Sequence, residues 1–336
     1  MDPHTGPDGP HAISRPSPSA DPARSPVALL GELERAAAAT PWDARIWNTA
    51  LTELREGRVT DGDIGASATT AGARPLAVAV VSAYSREDLA VLRRCHETVL
   101  AQTYPCRHIM VADGFARDEI DAWDVEHVRL DHTHADYGDT PRAIGGERAR
   151  ALGCEAIAYL DGDNSFRPHH VESMVSRCRA TGAAVVFSGR TRHLPDGQML
   201  PKVKAADSRR QIDTSCLFLA GDALTMASVW LAYPRPLSTL GDKLVVQILQ
   251  GRGLAFACTG ALTVRYTVNR AVFYRALGLP VPAAARPNLD ITPVAAYCRS
   301  LSAREWRELD ATLGFPAAAF LREFLESRGA TLEEPR

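Results

Sequence analysis

Two aspartates separated by one glycine follow an apolar run in AYLDGDNSF, residues 158–166. Asp161 and Asp163 therefore stand where a buried strand would end. A tight turn explains them, because Asp-Gly-Asp-Asn is rich in turn-forming residues. A cation site also explains them, because neighbouring carboxylates repel each other unless a positive charge lies between them. The tetrapeptide alone leaves both interpretations open.

Polar residues end two other apolar runs of the same kind. Tyr84 closes LAVAVVSAY, residues 76–84, and Asp113 lies near the end of HIMVADG, residues 108–114. Short continuous apolar runs are typical of strands covered on both faces. These runs alternate with segments of helical periodicity at 86–103 and 140–153, which predicts a mainly parallel sheet with right-handed crossovers. Ligands bind beyond the carboxyl ends of such strands, so the three terminations indicate one site.

The pattern divides the chain into four parts. Residues 1–26 are rich in Pro, Ser, Asp and Gly, which predicts a disordered tail. Residues 27–72 predict a helical hairpin and linker, which would serve packing or homo-oligomer formation. Residues 73–280 predict an α/β catalytic domain, including helices at 169–182 and 240–253 and strands at 183–194, 212–221 and 254–268. Residues 281–336 predict a C-terminal helical segment with a capping box at Ser302 and Glu305.

Composition narrows the class of protein. The 336 residues carry a net charge of −2 and 46% apolar residues, so we expect a globular protein whose partners do not include nucleic acid. No apolar run approaches the roughly 20 residues of a transmembrane helix, and the N-terminus lacks the apolar core of a secretory signal. Seven scattered cysteines without a CxxC motif predict reduced thiols and a cytoplasmic location.

Four segments in order resemble the family 2 glycosyltransferases of the GT-A fold, over roughly residues 75–270. They are VAVVSAYSREDLAVLRRCHETVLAQTYP, HIMVADG, GERARALGCEAIAYLDGDN and LGDKLVVQILQGRG. The resemblance implies a Rossmann-like, mainly parallel central sheet flanked by helices. It also implies a nucleoside-diphosphate sugar as donor, lying across the strand ends.

The resemblance assigns roles to matching residues. It implies that Asp161 and Asp163 form the DxD motif, which binds the donor and Mg²⁺ or Mn²⁺. It implies that Asp113 binds the base or ribose. The remaining donor-binding residues that it suggests are Ser82, Tyr84 and Arg148, while Arg142 follows a polar loop, DHTHADYGDTPR, and could approach the diphosphate. That loop is otherwise a hydrophilic segment before a helix.

The same resemblance places a catalytic base at Asp242. A carboxylate there would take a proton from the acceptor hydroxyl, which predicts direct displacement with inversion. The alternative role of Asp242 is a favourable interaction with the dipole of the helix that it begins. One departure from the family pattern is Gly241, which stands where the first acid of the family's Glu-Asp pair is expected.

Other candidates have weaker signals. Asp213 would line an acceptor pocket or form a strand-entry turn, and Trp230 would stack on a sugar ring or be a buried aromatic. A basic cluster at 202–210 would be a solvated loop or a lid on the diphosphate. The acceptor is unidentified, and we expect a soluble one.

Two other functions fit parts of the pattern. A haloacid-dehalogenase-like phosphohydrolase also uses a DxD motif with Mg²⁺, but there the motif follows the first strand of the fold. A non-catalytic nucleotide-sugar-binding protein is the second alternative, and the missing acid at Gly241 favours it.

Overall fold

The computed structural model describes residues 74–200 and 212–330. The predicted tail, the helical hairpin with its homo-oligomer contact and the basic cluster at 202–210 lie outside these residues. In the described part, no helix has the length and apolar character needed to cross a bilayer. The seven cysteines all lie in this part and are free thiols.

Eight strands of the described residues form one sheet. The parallel half has the order β3-β2-β1-β4 and continues as β7-β6-β8-β5. In the second half, β7 runs antiparallel to β4 and β6, β6 and β8 are parallel, and β5 is antiparallel to β8. The strands are β1 (Val78–Tyr84), β2 (Cys106–Asp113), β3 (Glu126–Leu130), β4 (Ala156–Tyr159), β5 (Ser165–Phe166), β6 (Val185–His193), β7 (Leu217–Ala220) and β8 (Phe256–Thr267).

Helices cover both faces of the sheet. They are α1 (Leu89–Leu100), α2 (Asp139–Ala151), α3 (His170–Thr181), α4 (Gly241–Gly251), α5 (Ala271–Ala276), α6 (Thr292–Ser300), α7 (Ala303–Leu313) and α8 (Ala317–Glu326). Short 3-10 turns at Gly221–Met226, Val229–Leu231 and Arg235–Leu240 connect β7 to α4. The capping box at Ser302 and Glu305 is present at the start of α7.

The side chains of β1 explain its continuous apolar sequence. Ala79 and Val81 point into one hydrophobic cluster, and Val78 and Val80 point into another. The first cluster contains α4 and the C-terminal helices α6–α8, and the second contains α1 and α3. Because the alternate residues of a strand face opposite sides, a strand that is buried on both faces needs apolar residues at every position. The C-terminal helices therefore share the core of the sheet.

The predicted α/β architecture with a largely parallel sheet flanked by helices is confirmed. The sequence did not reveal that β7 runs against its neighbours, nor the short elements β5 and α5. An apolar run predicts a buried strand whatever its direction, because direction depends on the path of the connecting chain.

Candidate active site

The carboxyl ends of β1, β2 and β4 lie at one edge of the sheet, and Tyr84, Asp113 and the Asp161–Asp163 pair follow from them. Gly162 allows the turn to pack tightly, since a Cβ there would lie 3.0 Å from Leu92 and 3.1 Å from Tyr84. The two acids are therefore held against the first strand and helix.

Arg142 binds the first of these acids. Its guanidinium donates to Asp161 at 2.7 Å and lies 5.0 Å from the ring centroid of Trp230. The Arg142 side chain is only 11% exposed. Trp230 is 1% exposed, so it is a buried aromatic residue, and the guanidinium of Arg142 packs over its ring.

Arg286 binds the second acid from a distant part of the chain. It lies in the segment after α5, with Nη1 at 3.3 Å from Asp163 and Nη2 at 3.0 Å from Glu87. Burial raises the pKa of Asp163 to about 7, which Arg286 opposes and Asp161 and Glu87 reinforce. The edge of the sheet therefore carries an excess of negative charge.

Two more acids face this edge. Asp213 accepts a hydrogen bond from the backbone of Ser215 at 3.0 Å and lies 3.3 Å from Arg190. Burial raises the pKa of Asp213, and Arg190 opposes the rise. Asp242 lies in the first turn of α4, where burial raises its pKa to about 6; Lys243 opposes this rise and Asp213 adds to it.

Asp113 and Tyr84 hold neighbouring loops. The carboxylate of Asp113 accepts from Thr133 Oγ1 at 3.0 Å and from the backbone and ring nitrogens of His134, each at 2.9 Å. Burial opposes the effect of these bonds, but together they lower the pKa of Asp113. The Tyr84 hydroxyl lies 2.7 Å from His127 Nε2, and burial raises its pKa. Both residues are at the predicted edge, next to the loop that follows β3.

The structure does not bring Ser82 and Arg148 to this edge. Ser82 is fully buried and its hydroxyl lies 2.9 Å from His108 Nε2, inside the protein. Arg148 pairs at 2.6 Å with Glu126, which begins β3 at the end opposite to Asp113. A helical position predicts only which face a side chain takes, and the register of α2 directs Arg148 toward the wrong end of the sheet.

A divalent cation would find two oxygen ligands here. Asp161 and Asp163 are 24% and 21% exposed, so both carboxylates are reachable. No cluster of three or more His, Cys, Asp or Glu residues suited to a metal occurs within residues 74–200 and 212–330. Mg²⁺ often takes one or two protein carboxylates and completes its shell with substrate phosphates and water. The pair therefore fits a cation that is held jointly with a diphosphate.

A cavity of about 170 Å³ lies between the loop after β3 and the turns before α4. Its walls include Asp136, Asp139, Trp230 and Tyr233. The backbone of Gly241 adjoins two of them: a Cβ at this position would lie 2.6 Å from Asp139 Oδ1 and 2.7 Å from Tyr233 Oη. The position where the family pattern expects an acid is thus crowded by another acid, from α2.

Four residues of the site escaped prediction: Arg190, Arg286, Asp139 and Tyr233. Arg190 gave a usable signal, since an arginine inside a strand that packs in the core needs an acidic partner. Asp139 resembles an ordinary acid in the first turn of a helix. Nothing in the sequence around Arg286 indicates that its segment returns to Asp163.

The chain is similar to a family model and to several solved structures. The model of "Glycosyl transferase family 2" matches residues 78–217. Similar solved structures include S. aureus TarS 1-349 in complex with UDP, at 12% identity and a TM-score of 0.46, covering 75% of this chain and 72% of that one. Another is S. aureus TarS 1-349 in complex with UDP-GlcNAc, at 10% identity and a TM-score of 0.43, covering 75% and 73%. No curated protein sequence is a match.

Proposed function

We propose, from the match of residues 78–217 to the model of family 2 glycosyltransferases, that the protein is a metal-dependent, inverting enzyme of that kind. It transfers a sugar from a nucleoside-diphosphate donor to an acceptor hydroxyl. The observation that carries the proposal is that four acids lie at one edge of the sheet. Three of these acids each pair with a different arginine. The acids are Asp161, Asp163, Asp213 and Asp242, and the arginines are Arg142, Arg286 and Arg190.

The proposal assigns donor contacts along the strand ends. The nucleoside lies against Tyr84 and Asp113, and the diphosphate lies at Asp161 and Asp163. Mg²⁺ or Mn²⁺, held by these two carboxylates, would neutralise charge on the leaving diphosphate. Arg142 is positioned to add a second, fixed positive charge there. Ser82 and Arg148 have no contact that supports a donor role.

Asp242 acts as the base in this scheme. Its carboxylate takes the proton of the acceptor hydroxyl while the hydroxyl oxygen forms a bond to the anomeric carbon. The bond from that carbon to the diphosphate oxygen breaks, and its electron pair leaves with the diphosphate, so the configuration inverts. A pKa of about 6 leaves Asp242 ionised at neutral pH while making it a stronger base than an ordinary aspartate.

The test is Asp242→Asn in the full chain. Binding of nucleoside diphosphates and their sugars is first screened by thermal shift with Mn²⁺, because a ligand of the native state raises its stability. We expect release of the nucleoside diphosphate from the best donor to slow by about 10²- to 10⁴-fold, with unchanged thermal shift. Asp222→Asn, at an exposed position, is the matched control.

An unchanged rate in Asp242→Asn would refute the base assignment. Absence of any turnover in the wild type, with donor binding intact, would instead support the non-catalytic alternative. The phosphohydrolase alternative lacks support, since β1 ends in Tyr84 and the two acids follow β4.

A further inference from the structure

The cavity beside Gly241 presents polar atoms that are incompletely paired. Both carboxylate oxygens of Asp139, Oδ1 of Asp136, Nε1 of Trp230 and the hydroxyl of Tyr233 are buried without a hydrogen bond of regular geometry, although Asp139 faces Ser238 and Tyr233. Asp139 is 2% exposed and Tyr233 6%. Buried polar atoms are almost always paired, so a cluster of incompletely paired ones around a cavity suits a polar ligand.

The chemistry of the walls specifies that ligand. Asp136 and Asp139 offer acceptors, while Trp230 and Tyr233 offer donors beside aromatic faces. Groups that both donate and accept, such as ring hydroxyls, satisfy such a mixture. The volume of about 170 Å³ is below the roughly 300 Å³ of pockets for drug-sized ligands, so a single ring suits it.

The cavity adjoins the proposed donor site, since its wall residues Asp139 and Trp230 lie 3.7 Å and 5.0 Å from the guanidinium of Arg142. A transferred sugar is bonded directly to the diphosphate, so its ring must lie against the residues that hold the diphosphate. The cavity is not lined by Asp161, Asp163 or Asp113. It adjoins Gly241, however, which directly precedes the base Asp242, where an acceptor has to enter.

We propose that this cavity binds one hydroxyl-bearing ring of the acceptor, with Asp139 accepting and Tyr233 donating hydrogen bonds to its hydroxyls. The identification of the ring as part of the acceptor rests on the proposed glycosyltransferase function. The substrate class that follows is a glycoside, or a similarly hydroxylated ring, placed beside the base.

Saturation-transfer NMR with a panel of methyl glycosides of glucose, galactose, mannose and N-acetylglucosamine tests the cavity directly. We expect at least one of them to bind the wild type and to bind Asp139→Asn and Tyr233→Phe about tenfold more weakly, since a hydrogen bond to a charged group is lost in the first. Both substitutions keep the side-chain shape, although Asp139→Asn also removes the charge that faces Arg142 at 3.7 Å. Asp222→Asn should bind like the wild type.

Donor binding is measured on the same proteins, using thermal shift with UDP, UDP-glucose, UDP-GlcNAc and GDP-mannose. Tyr233→Phe should bind these as the wild type does, and Asp139→Asn should bind them at least as tightly, because it removes a negative charge beside Arg142. The proposal is overturned if no glycoside binds the wild type, if glycosides bind all variants equally, or if the variants lose affinity for the sugar nucleotides instead. Failure of every nucleotide to bind the wild type would refute the proposed function separately, and glycoside binding would then still report on the cavity.

Discussion

Asp139→Asn should stabilise the protein at neutral pH. The carboxyl group is 2% exposed, and burial raises its pKa from 3.8 to about 7 although Arg142, 3.7 Å away, opposes the rise. A pKa shift of one unit corresponds to about 1.36 kcal/mol, so ionising this buried group lowers the folding stability by about 4 kcal/mol. Asparagine has the same shape and carries no charge to bury.

The pH dependence follows from the direction of this shift. Below about pH 4 the carboxyl group is protonated in both the folded and unfolded states, so the penalty is absent. As pH rises from about 4 to about 7, the unfolded chain loses its proton first, and stability declines through that window. The difference in unfolding free energy between variant and wild type should therefore grow from near zero to about 4 kcal/mol at about pH 8.

Urea denaturation of the full chain at about pH 5 and about pH 8 measures this difference. Other buried acids titrate in the same range in both proteins, so they cancel when variant and wild type are subtracted. Asp222→Asn is exposed and should show no pH-dependent difference. A variant that is less stable than the wild type at about pH 8, or a difference that does not change with pH, would refute the reasoning.

Two further pairs of variants test the site and its packing. Arg142→Gln should lower the affinity for the best nucleoside diphosphate by about tenfold or more, because a charge-assisted contact near Asp161 is lost. Arg148→Gln is the control and should leave this affinity unchanged. Calorimetric titration measures both affinities, and equal losses would contradict the placement of Arg142 at the diphosphate. Gly241→Ala should lower the unfolding free energy by about 1 kcal/mol, because the new methyl group meets the ends of two side chains beside a cavity. Gly251→Ala should lower it by about 3 kcal/mol, because there the methyl group meets a backbone carbonyl oxygen at 2.2 Å. Denaturant titrations measure both unfolding free energies. Equal losses in the two variants would show that the side chains of Asp139 and Tyr233 cannot move into the cavity to make room for the methyl group.

The parallel half of the sheet could be predicted because each of its strands carries its own signal. The run that forms β1 is almost entirely apolar since both faces are buried, and the acids at the end of β2 and after β4 mark the carboxyl ends. The second half could not be predicted to the same extent. Its strands run in both directions, and direction leaves no trace in an apolar run.

The acids of the site were predictable, and most of their partners were not. Asp161 and Asp163 stand out because two carboxylates interrupt an apolar run. Arg286 pairs with Glu87 across 199 positions of sequence, a contact that no local pattern encodes. Asp139 carries no comparable signal, because its close contact with Gly241 is formed only in the folded chain.

The return of the chain to the sheet edge at Arg286 limits how far the protein can be shortened. A fragment ending near residue 280 would keep every strand, yet Asp163 and Glu87 would then face each other without their arginine. The same cut would strip α6–α8 from the core and leave its apolar wall open to water. Recombinant work should therefore keep the chain at least through α8, far past the 78–217 stretch that the family model matches.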